Sequence, residues 1–340
     1  MKHIILTVAV ILSVIMISGC VFADELVITA PESTETLDDS SNRVLIYSAS
    51  TDYCIEYYMK RLKEQFPDYD ISMEYMTTGN LAAKVIAEKE NTDIDIIFDL
   101  DIGYVDQMVD YLADLSAYDQ SIYLDDCVSP SNKYLPTLRN GGAIILNPAV
   151  LEAKGLEEPT CYEDLLKPEY KGLISMPNPK SSGSGYMFLK SLVNSWGEEE
   201  AFDYFDELSE NILQFTSSGS GPVSALVMGE VAIGLGMTSQ AVTEINNGAD
   251  LKIIFFEEGS PFSLYCFGMP EGKQNRKAVK EVFDFFYTDL VKEDLELFYP
   301  EPIYKDYNPV IENFPQNIKY ADMSNNTNEE RQRLLDEWEY

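Results

Sequence analysis

Val44-Leu45-Ile46-Tyr47-Ser48-Ala49-Ser50-Thr51 decides the fold of this 340-residue chain. Four apolar, strand-favouring residues give way to four small ones, three of them hydroxylated, and a helical pattern follows over residues 52–66. A strand that hands over to a helix through a short turn opens a β-α unit. The arrangement recurs: residues 71–75 read as a second strand, followed by Thr77-Thr78-Gly79-Asn80 and a helix through residue 88. Ile94-Asp95-Ile96-Ile97-Phe98 reads as a third strand that ends before Asp99 and Asp101. Further strands are expected over 142–146, 172–176, 231–235, 251–256 and 263–269. Residues 276–291 carry Val279, Val282, Phe283, Phe286 and Tyr287 at helical spacing, the signature of an amphipathic helix with a core-facing stripe. Such alternation predicts an α/β fold with a parallel-rich sheet. Residues 299–340 hold Pro300, Pro302, Pro309 and Pro315 before a charged helix over 328–338, expected to pack against a lobe and close the fold.

The start of the chain sets where the protein works. Lys2 and His3 precede an uncharged apolar run over 4–17 that ends at Ile17-Ser18-Gly19-Cys20. The run is shorter than the roughly 20 residues a membrane-spanning helix needs, so it reads as an export signal. Its last four residues resemble a bacterial lipobox, which makes Cys20 the expected lipidation site. Ordinary cleavage after Val21-Phe22-Ala23 and an uncleaved anchor are the rival readings. Residues 20–42 are polar and acidic and are expected to form a disordered tether. About twenty such residues reach roughly 25 Å as a flexible coil.

Composition removes several functions. A formal charge of −34 repels polyanions, so nucleic acid is not an expected partner. A solvated, soluble exterior accounts for that acidity without a specific cationic partner. His3 is the only histidine and lies in the signal, so the exported chain has no imidazole for a Ser-His-Asp triad, a Cys-His pair or a zinc site. No enzyme activity, metal or cofactor is expected. Beyond Cys20, four cysteines remain (Cys54, Cys127, Cys161, Cys266), and export permits disulfides without requiring them. About 320 residues exceed one typical compact domain, so two lobes are expected.

One pentapeptide occurs twice, as Ser181-Ser182-Gly183-Ser184-Gly185 and Ser217-Ser218-Gly219-Ser220-Gly221, each ahead of an expected helix, over 186–193 and 223–228. The first turn of a helix presents unpaired N–H groups and the positive end of its dipole. Glycine lets a ligand approach that backbone and serine adds donors, which makes an anion seat. A single loop of this kind is more often a plain N-cap. The conjunction carries the reading, because 48–51, 77–80, both pentapeptides and Thr238-Ser239 all follow expected strands. In an open α/β sheet, the carboxyl ends of the strands line the ligand crevice. These loops hold almost no cation; Lys180 alone adjoins the first pentapeptide.

Cys161-Tyr162-Glu163-Asp164-Leu165-Leu166-Lys167-Pro168-Glu169-Tyr170-Lys171-Gly172, then Pro179-Lys180 with the first pentapeptide and Tyr186, then Gly229-Glu230-Val231-Ala232-Ile233-Gly234-Leu235-Gly236 follow one another in an order that resembles the extracellular solute-binding proteins of ABC importers. The likeness is to the subgroup of ferric-iron, phosphonate and hexose-phosphate binders, and it covers residues 44–291. It implies a two-lobed, type II periplasmic-binding-protein-like α/β fold with the ligand cleft between the lobes. The boundaries then expected are a signal over 1–19, the tether over 20–42, an N-terminal lobe of 43–138 plus 264–340, and a C-terminal lobe of 139–263. By position, Ser182, Gly183 and Ser184 match the loop that grips phosphate or a synergistic anion, Ser218 and Gly219 a second anion loop, and Ser50 and Thr51 the first loop of the N-terminal lobe. Thr78 and Gly79 join them from the second loop, and Glu258 resembles a carboxylate contributed by phosphosugar binders. Thr238 and Ser239 stand where ferric-iron binders place paired tyrosines and hexose-phosphate binders a His-Asp pair. The resemblance therefore implies a small organic phosphate or phosphonate, with ferric iron as the alternative. The implied partners are the permease and ATPase subunits of an ABC importer, with the protein a monomer held by its lipid on the outer face of the cytoplasmic membrane.

Two other classes compete. Asp93, Asp95, Asp99 and Asp101 fall on alternate positions and offer a carboxylate cluster to an enzyme. A surface adhesin or sensory accessory lipoprotein would use the same fold.

Overall fold

The computed structural model describes residues 26–33 and 36–338; the signal over 1–19 and Cys20 lie outside the described residues. Within them, β1 (Arg43–Ser48), α1 (Asp52–Gln65), β2 (Asp70–Tyr75), α2 (Thr78–Glu88), β3 (Ile96–Asp101) and the short α3 (Ile102–Val105) form the expected repeat. Then come β4 (Leu135–Leu146), α4 (Pro148–Lys154), β5 (Ile174–Pro177), α5 (Gly183–Trp196), α6 (Glu198–Ser209), β6 (Ile212–Thr216), α7 (Gly221–Val227), β7 (Ile233–Met237), α8 (Thr238–Asn246), β8 (Lys252–Ile254) and β9 (Phe262–Gly268). α9 (Lys277–Phe285), α10 (Val291–Leu297) and α11 (Asn328–Glu337) complete the chain.

The strand order is β2-β1-β3-β9-β4-β7-β5-β6, with β8 beside β4. β1 runs parallel to β2 and β3, and β5 runs parallel to β6 and β7, so each half has the predicted parallel nucleus. β4 and β9 are antiparallel to their neighbours, which makes the whole sheet mixed. β4 ties the halves together: residues 135–141 pair with β9, and from Gly142 onward the strand pairs with β7 and β8. The chain returns over residues 255–261, between β8 and β9. This is the two-lobed type II architecture. One core gathers Val44, Ile46, Tyr58, Phe98, Phe267 and Phe283, the other Ile144, Met176, Phe188, Phe205 and Ile233.

The helix expected over 276–291 is present as α9, a wide turn through Phe286–Leu290, and the start of α10. Val279, Val282, Phe283, Phe286 and Tyr287 are all buried, each Val or Phe side chain worth about 1.5–3 kcal/mol on removal from water. Two expectations are corrected, and two further segments are placed. β3 does not stop at Phe98 but runs through Asp101, with Asp99 at φ 55° where the register against β9 slips between Ile97 and Leu100. That slip is a bulge, which pattern alone cannot show because the extra residue breaks the two-residue period. α5 begins at Gly183, so Gly183-Ser184-Gly185 forms a helical first turn and not a loop ahead of it. The presumed tether is docked in its later part: Leu26, Ile28 and Ala30 pack on the first core, Lys280 donates to the Pro31 carbonyl at 3.1 Å, and Asp38 bridges to Arg276. Finally, α11, in the stretch 264–340 expected with the N-terminal lobe, has Leu334 fully buried in the second core.

Candidate functional site

The point where β4 changes partners is held on both sides. Gly141 N–H donates to Glu301 Oε1 at 2.7 Å, and Tyr320 Oη donates to Glu301 Oε2 at 2.9 Å. Ser260 Oγ donates to the Gly142 carbonyl at 2.7 Å, while Gly142 N–H donates to the Pro261 carbonyl at 2.7 Å. The Arg139 guanidinium lies over the Phe262 and Tyr320 rings. Burial pushes the Glu301 carboxyl up to about 7, against the pull of the Gly141 and Tyr320 hydrogen bonds and of Arg139.

Between the lobes lies a cavity of about 700 Å³. Thr51, Tyr53, Leu297, Phe298 and Tyr299 line it from the N-terminal lobe, Gly219, Ser220, Met237 and Ser239 from the other, and Asn140 from the crossing strand. None of its lining residues is charged, in a chain with 82 ionisable Lys, Arg, Asp and Glu side chains (24 basic and 58 acidic). The two pentapeptides meet beside it. A Cβ on Gly219 would stand 3.0 Å from Ser184 Cβ and closer still to Ser184 Oγ, so only glycine lets the second loop approach the first this closely. A Cβ on Gly183 would have no atom within 4 Å, so the first turn of α5 faces open space.

Thr51, Thr77, Ser182 and Ser220 occupy the N-cap positions of α1, α2, α5 and α7, and none of their hydroxyls makes a capping bond. Where an Asp, Asn or Thr does cap, it is on α3, α4 and α11: Asp101 accepts from Gly103 N–H, Asn147 from Val150 N–H and Thr327 from Glu330 N–H, while α6, α8, α9 and α10 start at Gly197, Met237, Arg276 and Leu290 with no side-chain cap. Orphan N–H donors in the first turn ordinarily take such a partner. Thr238, the first residue of α8, is fully buried with Oγ1 unpartnered among the described residues.

The structure therefore brings Thr51 from one lobe and Gly219 and Ser239 from the other to a single cavity, with Ser182, Gly183, Ser184, Ser218 and Thr238 adjoining through the meeting loops and α8. Ser218 Oγ lies 3.0 Å from Ser220 Oγ, and Ser239 Oγ donates to Asn140 Oδ1 at 3.3 Å. Thr78 and Gly79 stand apart at the start of α2, where a Cβ on Gly79 would be 3.3 Å from the Tyr104 ring. Ser50 is turned inward: it is buried, with its hydroxyl donating to Asp99. Glu258 is elsewhere, Oε1 accepting from Trp196 Nε1 at 3.1 Å beside the Tyr162 and Phe256 rings. Lys180 lies over the Trp338 ring.

The four aspartates offered to an enzyme have separate fates. Asp93 pairs with Lys84, and buried Asp95 pairs with Arg276 and Lys273. Burial raises the Asp99 carboxyl to about 6, while Asp101 accepts from Gly103 N–H at 3.0 Å. No group of three or more His, Cys, Asp or Glu side chains among the described residues has the geometry to hold a metal. Cys54, Cys127, Cys161 and Cys266 are free thiols. Among the described residues no helix is long and apolar enough to cross a membrane.

Residues that pattern did not reveal complete the site. Asn140 sits in a part of β4 that read as no element, and Tyr53, Leu297, Phe298 and Tyr299 looked like generic apolar positions. Asn140's only signal was its position next to Gly141-Gly142.

Comparison with known proteins agrees with this architecture. A family described as bacterial extracellular solute-binding protein matches residues 103–327. A protein of Haemophilus influenzae (strain Rd) is 30% identical over 276 residues, 76% of either chain. The periplasmic binding protein AfuA from Actinobacillus pleuropneumoniae, solved with exogenous fructose-6-phosphate, is 26% identical with a TM-score of 0.72, over 87% of this chain and 97% of that one. Iron-bound HitA from Pseudomonas aeruginosa shares the fold at 14% identity, with a TM-score of 0.75 over 88% and 99%.

Proposed function

We propose, from the premise that the chain belongs to the family of bacterial extracellular solute-binding proteins, that it captures a small organic anion of the phosphate or phosphonate class between its lobes. As the solute-binding component of an ABC transporter it is a transport protein and not an enzyme, and proteins of this kind deliver small solutes to permease and ATPase subunits. The observation that carries the anion reading is the set of hydroxyl N-caps that withhold their capping bonds beside the cavity. Unpaired N–H groups at the positive end of a helix dipole bind an anion without a salt bridge. Ser182, Gly183, Ser184, Ser218 and Gly219 are the proposed seat, flanked by Thr51, Thr238 and Ser239. The uncharged cavity takes the neutral body of the solute, and AfuA's fructose-6-phosphate is a phosphate ester of that general make-up. Ser50 acts through Asp99 as a support, and Glu258 is left out of the set because Trp196 holds it.

Closure of the lobes around the solute follows from its higher affinity for the closed arrangement. The lobes are taken as 43–138 with 264–327, and 139–263 with 328–338. Lipidation at Cys20 would hold the monomer on the outer face of the cytoplasmic membrane. The docking of Leu26, Ile28 and Ala30 leaves a shorter free linker than a tether running to residue 42.

The test is thermal unfolding with a panel of phosphate esters and phosphonates. Gly183→Leu adds a side chain where nothing lies within 4 Å, so the ligand-free midpoint should be unchanged and the ligand-induced rise abolished. A full ligand-induced rise in that variant, or a wild type that no anionic compound stabilises, would count against the reading.

A further inference from the structure

The seat described above lacks a cation, yet one guanidinium stands at the seam between the lobes. Arg331 lies in α11, three residues before Leu334, which is fully buried in the second core. Its Cζ is 4.9 Å from the ring centre of Tyr186 and 5.2 Å from that of Tyr104. Tyr186 is one turn into α5, with its N–H donating to the Ser182 carbonyl at 3.0 Å. Its ring is buried, and its Oη has no partner among the described residues. Tyr104 belongs to α3 of the other lobe, in contact with the Gly79 turn. Arg331 therefore joins the Thr78-Gly79 loop of one lobe to the Ser182-Gly183-Ser184 turn of the other, through one aromatic ring on each side.

Among the described residues the Arg331 side chain makes no hydrogen bond and no ion pair within 4.0 Å. Asp101 feels its charge but spends Oδ1 on Gly103 N–H. A partly buried guanidinium has five N–H donors in a rigid fork, and leaving them unpaired is costly. Rings on two sides hold the cation by cation–π attraction without using any of those donors. We propose that Arg331 grips the anionic group of the solute with this free fork, so that the C-terminal helix is part of the binding site and bridges the lobes as it binds. The residue completes in charge what the serine-glycine turns supply in dipoles, and a planar, bidentate match to phosphate or phosphonate oxygens is the geometry it offers. The assignment rests on the anion reading of the cleft.

The test is calorimetric titration of the full chain with inorganic phosphate and with phenyl phosphate, alongside small-angle scattering of the ligand-free protein. Arg331→Gln should weaken both probes by about tenfold or more, as expected for loss of a charge-assisted bidentate contact. Arg331→Lys, which keeps the charge but not the fork, should weaken them by a smaller factor. Unchanged affinity in Arg331→Gln, with or without a larger radius of gyration, would reduce Arg331 to a clip between the rings and overturn the assignment while the anion reading stands. Should Arg331→Gln not fold, unchanged affinity in Arg331→Lys overturns it equally. If the wild type binds neither probe nor any other anion, the anion reading fails first and the assignment falls with it.

Discussion

Replacing Gly219 with alanine tests the meeting of the two pentapeptides. The new Cβ would stand 3.0 Å from Ser184 Cβ, with Ser184 Oγ nearer still. Carbon–carbon contact becomes favourable at about 3.5 Å, so after the hydroxyl rotates away the backbones must still part by roughly half an ångström. Overpacking of this size costs about 1–3 kcal/mol. For a chain of this length that is a fall of several degrees in unfolding midpoint, at roughly 2–4 °C per kcal/mol. The same separation pulls Ser218 and Gly219 away from Ser182 and Gly183, so affinity for a phosphate ester should fall with stability. Urea unfolding supplies the energies and a double-mutant cycle supplies the cause. Ser184→Gly removes the clashing Cβ, so the double variant should recover a large part of the loss, a coupling of about 0.5–3 kcal/mol. If Gly219→Ala unfolds within about 0.5 kcal/mol of the wild type and the cycle shows no coupling, the loops do not touch and the shared seat has no structural basis.

Three further outcomes are expected. The Glu301 carboxyl is raised to about 7 from an ordinary value of 4.5, so its contribution to stability is complete at pH 4 and is lost as the pH rises through 7. Glu301→Gln should remove a decline of about 3 kcal/mol between pH 5 and 8, read by urea unfolding across that range, and an unchanged pH slope would refute it. Glu258→Gln should leave ligand-induced stabilisation intact, since Glu258 faces Trp196 and the Tyr162 ring; a loss of ligand response would restore it to the site. Removing the chain before residue 32 should destabilise the protein by about 1–3 kcal/mol through loss of the Leu26, Ile28 and Ala30 packing, and a truncated protein with wild-type stability would mean that the segment is a plain tether.

How far the site was legible varies residue by residue. The pentapeptides were visible because serine and glycine before an apolar helix have few other uses, yet their contact was not, since it depends on two loops 36 positions apart in sequence (183 to 219). Asp99 looked like a turn residue because a bulge shifts the strand register without marking the sequence. Glu258 looked like a ligand because a carboxylate beside a glycine and a serine gives no sign of the tryptophan that holds it. Arg331 gave no signal at all: in a helix with Glu329, Glu330, Arg333 and Asp336 it reads as one more solvated charge.

Local chemistry by itself determined the repeating strand-to-helix turns, the amphipathic helix over 276–291, and the absence of any histidine after His3. Those properties depend on neighbours a few residues away, through period, turn residues and composition. Tertiary structure alone decided which hydroxyls line the cavity between the lobes and which face inward, that Leu26 to Ala30 lie along the first core, and that α11 crosses back to set Arg331 between Tyr104 and Tyr186. The reason is physical: a cleft between two lobes is made of contacts between segments far apart in the chain, and burial and charge at such a seam are settled only when the cores on either side have packed.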